Sequence, residues 1–456
     1  MAAVRLLAAL AGLFVTKRDG IALISCEGDE PSQDILDLAA AIEGLSLAPA
    51  PRVFVMAGRM RRSAFGAFRF VSRLVSMLRL IAVSRVVAID AYCPAVSIPK
   101  KRAGQIVLQL WHAPEAIKKF SLQITDTPSG YAGRTAEILC MHKGYDFILC
   151  PADATRPFFA EAFGYPEDVF LKYGLPSLDR IGLMRRPEAD KEESAERRTA
   201  REAIFDKYPM LGSEGRRPLT IVYAPTFRDG AAVDVAGLAR AFERALRDVS
   251  AVWKTAGEAV WPGSSMNDAE AFYEVWSGIT LVLKLHPLDK LTAEAAGAAE
   301  RAGTGAHSFG GNTLEPAAPL FSIVRDTDIP LIDWYAVADI VVTDYSGVAI
   351  DAAVAGIASY YYIYDIDDFS ARRGLNVDLR EEAVGGYAFE DADSLARQTL
   401  CDFAQIPVGG PSLYDYGVLA AFAAKYLEVP LSGNTEKIAA FIAKAYEDSQ
   451  RTRERF

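Results

Sequence analysis

Four histidines occur in this 456-residue chain, and two of them, His112 and His286, close apolar runs. Ile106 to Leu110 leads into Trp111-His112, with Lys118 and Lys119 shortly after; Thr280 to Leu285 leads into His286. Short apolar runs of this kind read as buried strands, so both imidazoles stand at the carboxyl end of a strand. Pro287 stops the second run, because proline cannot donate to a sheet ladder. An imidazole with an unperturbed pKa of about 6.5 takes a proton from a hydroxyl at neutral pH, typically a factor of roughly 10²–10⁴ in rate.

A second kind of chemistry is offered between Asp333 and Gly374. The β-branched run Ile340 to Thr343 stops at Asp344-Tyr345-Ser346-Gly347, and a helical pattern then continues through Val348, Ile350, Ala353 and Val354 to Gly356. The apolar run Ser359 to Tyr364 follows, so the unit reads as strand, tight turn, helix, strand, with its turn at the carboxyl edge of a parallel sheet. Open α/β sheets bind ligands there. Thr343 and Ser346 supply hydroxyls, Gly347 admits close approach, and the free N–H groups of the first helical turn stabilise a phosphate by roughly 0.3–2 kcal/mol. A plain helix cap is the competing reading, since any such junction favours Ser, Thr or Asp. Upstream, the strand Leu219 to Tyr223 meets Ala224-Pro225-Thr226-Phe227-Arg228-Asp229, which holds a hydroxyl, a cation and a carboxylate together. Asp365-Ile366-Asp367 has the outline of a metal-binding DxD, but one such triplet among 59 acids weighs little, and no Walker or GxGxxG motif calls for another cofactor.

The elements that must position these residues alternate. Ile21 to Cys26, Arg52 to Met56, Val86 to Ile89, Gln105 to Trp111, Phe147 to Cys150 and Val169 to Tyr173 are strands separated by helical stretches, the pattern of a parallel α/β sheet. A second series starts near Pro218. The charged span Arg186 to Arg201 falls where a domain boundary is expected, and 456 residues with 51% hydrophobic content supply two cores. A net charge of −10 argues against a general nucleic-acid binder. Five cysteines without paired spacing suggest neither a disulfide framework nor a zinc site, and a reducing cytoplasm is the simplest setting.

Two stretches bear on membranes. Leu6 to Val15 is apolar but too short to span a bilayer, and reads as a first helix packed on the domain or lying against a membrane. From Arg52 to Ile89 the chain carries Arg52, Arg59, Arg61, Arg62, Arg69, Arg73, Arg79 and Arg85 and no acid. Arg62, Arg69 and Arg73 share one helical face with Arg59, which reads either as a membrane-facing surface or as a solvated face packed on the sheet. Each arginine near an anionic leaflet contributes on the order of 1 kcal/mol.

WHA followed by KK, then GLPSLD, YAPTFRD, LKLHP, DWYAVADIVVTDYSGVAIDAA and YDIDDFSARRG, in this order and spacing, resemble the CDP-glycerol glycerophosphotransferases of teichoic acid and capsule synthesis. The resemblance covers about Gly20 to Ile442. It implies an α/β protein of the GT-B class, two Rossmann-like domains facing across a cleft. Residues 1–200 would form the acceptor and membrane-facing domain, 201–430 the CDP-donor domain, and 431–456 a helix, Asn434 to Tyr446, crossing back to the first. His112 falls on the family's general base and His286 on the histidine that meets the donor phosphate. Thr343, Asp344, Tyr345, Ser346 and Gly347 would hold the nucleotide phosphates, with Arg228, Asp351 and Arg373 on further donor-binding positions. The implied partners are a CDP-polyol and a polysaccharide or polyol-phosphate acceptor at an anionic membrane surface, with no metal and no other cofactor. Departures at Ala113, Ser177 and Gly347 bear on the choice of substrate. The alternatives are a GT-B glycosyltransferase using a CMP- or UDP-sugar and a non-catalytic scaffold of a capsule-synthesis complex.

Overall fold

The computed structural model describes residues 2–13, 15, 19–58, 67–114, 116–187, 192–212, 217–228, 231–255, 276–285, 289, 292, 321–404 and 413–454, the side chains of 67–70, 249–255 and 451–454 excepted. The chain divides into two compact units. Unit 1 holds Met1–Gly182, Arg372–Asn376 and Lys425–Phe456; unit 2 holds Leu183–Ala371 and Val377–Ala424. The first change of unit therefore comes just before the charged span 186–201, whose helix Ala195–Lys207 belongs to unit 2.

In unit 1, strands β1 (Gly20–Ser25), β2 (Arg52–Ala57), β3 (Ser84–Ile89), β4 (Ile106–Gln109), β5 (Phe147–Leu149) and β6 (Phe170–Leu171) form one sheet in the order β2-β1-β3-β4-β5-β6. All pairings are parallel. Every residue of β1 is buried, the reason it reads as an unbroken apolar run. Its side chains alternate between two cores. Ala22 and Ile24 meet Leu74, Met77 and Leu78 of helix α3 (Ala67–Val83), with Val4, Leu7, Ala8 and Ala11 of helix α1 (Ala2–Leu13) packed alongside. Ile21 and Leu23 meet Ile35, Leu38 and Ile42 of helix α2 (Gln33–Glu43) and Ile438, Ile442 and Tyr446 of the helix Asn434–Glu454. The end of the chain thus completes the core of the first sheet. Asp179 anchors it, its carboxylate accepting from the Asn434 and Thr435 N–H groups at 3.0 and 2.8 Å, at the positive end of the helix dipole.

In unit 2, strands β7 (Leu219–Tyr223), β8 (Ile279–Leu283), β9 (Phe321–Arg325), β10 (Ile340–Thr343), β11 (Ala358–Tyr362) and β12 (Ala388–Phe389) pair in parallel in the order β12-β11-β10-β7-β8-β9. In each sheet the direction of strand addition reverses once, between β1 and β3 and between β7 and β10. Ligands of doubly wound sheets bind at such reversals, beyond the carboxyl ends of the strands.

The start of β10 is locked to β7 by an ion cluster around the buried Asp339 carboxylate. Asp339 accepts from Arg217 through two bonds of 2.6 Å, from Arg186 at 2.7 Å and from the Thr220 N–H at 3.0 Å. Burial alone would raise the Asp339 pKa, but the two guanidinium groups and the N–H outweigh it and hold the carboxyl below the usual carboxylate range. Its folded pKa lies below the unfolded value of about 3.9, so its contribution to stability is complete above that pH and is lost as pH falls through the folded pKa. Asp339→Ala should cost roughly 3–5 kcal/mol in urea unfolding at neutral pH, with the deficit shrinking in acid. A pH-independent deficit would contradict the ion-cluster account.

Candidate active site

Three strands converge on His112. After β4, the Leu110 N–H donates to the Ile89 carbonyl at 2.8 Å, and Trp111 then takes a left-handed conformation with φ of 63°, rare for a bulky residue. Gln109 holds it there: this fully buried side chain accepts the Trp111 N–H on Oε1 at 2.9 Å and donates from Nε2 to the Ala91 carbonyl at 3.3 Å. The indole is fixed between Phe120 and Phe163, with ring centroids 5.3 and 5.1 Å away. The turn lifts His112 off the strand and lays its ring against Trp111, 4.2 Å between centroids.

His112 Nδ1 lies 3.3 Å from the Asp90 carbonyl oxygen, just past β3, and Nε2 lies 3.4 Å from Glu27 Oε1, just past β1. A carbonyl oxygen only accepts, so the hydrogen bond assigns the proton of the neutral ring to Nδ1 and leaves the Nε2 lone pair as the basic atom. Glu27 sets a carboxylate oxygen beside that nitrogen. The side chain is 33% exposed, enough to be reached. The buried Asp90 carboxylate ties the β1 and β3 ends together by accepting from Ser25 Oγ at 2.6 Å, the Cys26 N–H at 2.8 Å and Ser32 Oγ at 2.9 Å. His142, packed in the same aromatic cluster, is pushed down to about 3 by burial and stays neutral.

The segment after His112 is laced to Arg372–Asn376. Lys118 and Leu375 form an antiparallel bridge, the Lys119 N–H donates to the Gly374 carbonyl at 3.1 Å, and the Asn376 N–H donates to the Ile117 carbonyl at 2.8 Å. Gly374 has φ of 87°, and a Cβ there would come 2.8 Å from Lys119 Cδ. Arg373, a donor-binding position within the stretch expected to form the second domain, lies in unit 1 and donates from Nε to the Lys119 carbonyl at 2.9 Å. Burial lowers its pKa.

In unit 2 the turn after β10 and the loop after β7 lie side by side. Thr343 Oγ1 donates to the Ala224 carbonyl at 2.7 Å. Asp344, 1% exposed, accepts the Thr226 N–H at 2.9 Å and Arg228 Nη2 at 2.9 Å. Arg228 also grips Asp365 through Nε at 2.7 Å and Nη2 at 2.9 Å, and donates from Nη1 to the Thr226 carbonyl at 2.8 Å. Its guanidinium carbon sits 4.8 Å from the Phe369 ring centroid and 5.3 Å from that of Tyr345. Tyr345 closes the knot through a 3.2 Å bond to Asp365. Thr226 and Arg228 of the first loop, Asp344 and Tyr345 of the turn and Asp365 therefore form one network, in which Asp365 of the DxD-like triplet is engaged by Arg228.

Outside this network the turn offers half-buried Ser346, Gly347 and Val348 at the start of the helix Val348–Ala355, with Asp351 half-buried in its first turn. The Ala349 and Ile350 N–H groups already donate to the carbonyls of Ser346 and Gly347, at 3.0 and 2.9 Å. Thr226 Oγ1, buried beside this turn, has no hydrogen-bond partner among the described residues.

His286 and Arg62 lie outside the described residues; Arg69 lies on α3, and its side chain is not described. Arg73 pairs with the Asp29 carboxylate. Glu27, Asp90 and Gln109 were not singled out from the sequence. Asp90 carried the one available signal, an acid directly after the apolar run Val86 to Ile89.

Two parallel Rossmann-like units, each with polar groups gathered where its strand order reverses, define an α/β protein of the GT-B class. The structure is similar to that of the wall teichoic acid polymerase TagF, with a TM-score of 0.63 over 98% of this chain and 94% of that one; at 16% identity the likeness establishes the fold. Residues 7–402 match the CDP-glycerol:poly(glycerophosphate) glycerophosphotransferase family. The chain belongs to that family and is a transferase of its class. It is 24% identical over 434 residues to the teichoic acid ribitol-phosphate primase of Bacillus spizizenii, covering 95% of this chain and 93% of that protein. To the teichoic acid glycerol-phosphate primase of Staphylococcus aureus it is 22% identical, covering 66% of this chain and 62% of that protein.

Arg228→Met should destabilise the protein by roughly 3–5 kcal/mol in urea unfolding, because Asp344 and Asp365 lose the cation between them. Stability equal to that of the unaltered protein would show that the network does not hold the turn.

Proposed function

We propose that the protein moves glycerol phosphate or ribitol phosphate from the corresponding CDP-polyol to a hydroxyl of a teichoic-acid-like or capsular polysaccharide acceptor, releasing CMP. The observation that carries the assignment of the base is His112, held by Asp90 with Nε2 toward Glu27. In the proposed step Nε2 takes the proton of the acceptor hydroxyl. The oxygen attacks the β-phosphorus of the donor, the bond from that phosphorus to the bridging oxygen breaks, and CMP leaves with the electron pair.

Ser346 and Gly347, with the first turn of the helix Val348–Ala355, are the groups proposed to meet the donor phosphates, helped by the positive end of the dipole. Thr343, Asp344, Tyr345 and Arg228 would act by shaping that turn, since their polar atoms are engaged with one another and with the neighbouring loop. His286 is assigned to the donor phosphate as charge passes to the departing CMP, and Asp351 and Arg373 keep supporting roles toward the donor. Positioning and electrostatic stabilisation then do most of the work.

His112→Ala should lower the rate of CMP release by roughly 10²–10⁴ while leaving CDP-donor binding in calorimetry nearly unchanged. Turnover like that of the unaltered protein would remove His112 as the base. Run with CDP-glycerol, CDP-ribitol, CMP-sugars and UDP-sugars, the same assay names the donor; nucleotide release from a sugar nucleotide alone would replace polyol-phosphate transfer by glycosyl transfer.

We further propose that the enzyme works in the cytoplasm, peripheral to the inner face of the membrane, with Arg62, Arg69 and Arg73 toward anionic lipid. Among the described residues, no helix is long and apolar enough to cross a membrane. Because Arg73 is paired with Asp29, the test uses the other two: Arg62→Glu with Arg69→Glu should release the protein from anionic vesicles in a sedimentation assay. Unchanged co-sedimentation would rule that face out.

A further inference from the structure

We infer that unit 1 carries a second binding site, a pocket for the phosphate headgroup and adjoining methylenes of an anionic lipid, away from the strand ends that carry His112. A cavity of about 230 Å³ lies among α1, the end of α3 and the segment leading into β4. Its walls are apolar, including Ala8, Ala9, Leu78, Ile81, Ala82 and Val96. Gln105 and Val107, at the start of β4, also line it, whereas His112 follows the end of that strand.

The rim is cationic. Arg5, Lys100, Lys101 and Arg102 all border the cavity. Lys101 is matched by the Asp146 carboxylate. Arg5 Nε donates to the Ile98 carbonyl at 3.2 Å and Arg102 Nη1 to the Ala82 carbonyl at 3.0 Å, neutral acceptors that leave both charges standing. Among the described residues Arg5, Lys100 and Arg102 have no carboxylate partner, in a protein whose net charge is −10. Gly12 admits this arrangement: a Cβ there would fall 1.8 Å from Arg102 Nη2, so the absent side chain lets the guanidinium lie against α1.

The surroundings are apolar on the outside as well. α1 packs Val4, Leu7, Ala8 and Ala11 inward, yet its Leu6 and Leu10 are 61% and 44% exposed, and Val71 on α3 is 48% exposed. Exposed leucines beside a cation-rimmed apolar cavity form a two-part surface. Free phosphate satisfies only the cations and a neutral hydrophobe only the walls. A phosphate with an acyl chain satisfies both, by charge-assisted hydrogen bonds and by burial of methylenes.

The site rests on neither the transfer reaction nor the arginine face of α3. Decyl phosphate, kept below its micelle concentration, is titrated calorimetrically into the full-length protein, with inorganic phosphate and decyl maltoside as controls. Saturable binding of one decyl phosphate per chain is expected, with both controls weaker by about tenfold or more. Arg5→Glu with Lys100→Glu removes the rim charge, and Ala9→Trp, at an exposed helical position, obstructs the mouth. Each should weaken binding by about tenfold or more while leaving the melting temperature and CMP release in solution unchanged. Equal binding of inorganic phosphate would reduce the site to a simple anion site, and equal binding of decyl maltoside would reduce it to an apolar pocket; either overturns the proposal. So does decyl phosphate affinity unchanged in both variants.

Discussion

A parallel strand covered by helices on both faces admits a polar side chain along its length only where a hydrogen bond satisfies it, so groups left accessible for chemistry stand beyond its last residue. That constraint governs both units. β1 is buried throughout, and the groups that follow it and its neighbours, Glu27, Asp90 and His112, meet where the strand order turns round. The same reversal in the second sheet brings the loop after β7 to the turn after β10. The fold thus determines where reactive groups can be before it determines which they are.

Burial makes the supporting electrostatics demanding. Each buried carboxylate that holds a strand end is satisfied: Asp90 by two hydroxyls and an N–H, Asp339 by two arginines, and Asp344 by Arg228 and an N–H. An uncompensated charge in these positions would cost several kcal/mol, so such pairs are better understood as devices that specify loop geometry than as sources of net stability. Arg228 illustrates the distinction. Its sequence context suggests a cation for a phosphate, whereas its donors hold Asp344, Asp365 and the Thr226 carbonyl in place, and any effect on a bound anion passes through the turn it shapes.

The His112 site uses a different device. Trp111 is held in a backbone conformation that a large side chain seldom adopts, and Gln109 satisfies its N–H while the aromatic cluster fixes its ring. Strain of this kind persists only where the surroundings over-determine it. Here the surroundings orient the imidazole, giving its two nitrogens distinct partners and therefore distinct roles.

Much of this was legible in the sequence because it is local. Apolar runs of strand length mark β4 and β10, and the residue types directly after them mark His112 and the Thr343 to Gly347 turn, since burial periodicity and turn chemistry act over a few residues. Nothing local reports which strand lies beside which. The partners of His112 come from β1 and β3, and those of Arg228 lie 116 and 137 residues further along, so they are defined only once parallel strands pair in a particular order. Arg373 makes the same point: its motif reads with the second domain, yet backbone pairing at Lys118 and Leu375 commits it to the first. The sequence by itself determined the elements, the residues at their ends and the family; the tertiary structure decided the partners, because hydrogen bonds and ion pairs depend on distances that strand order alone establishes.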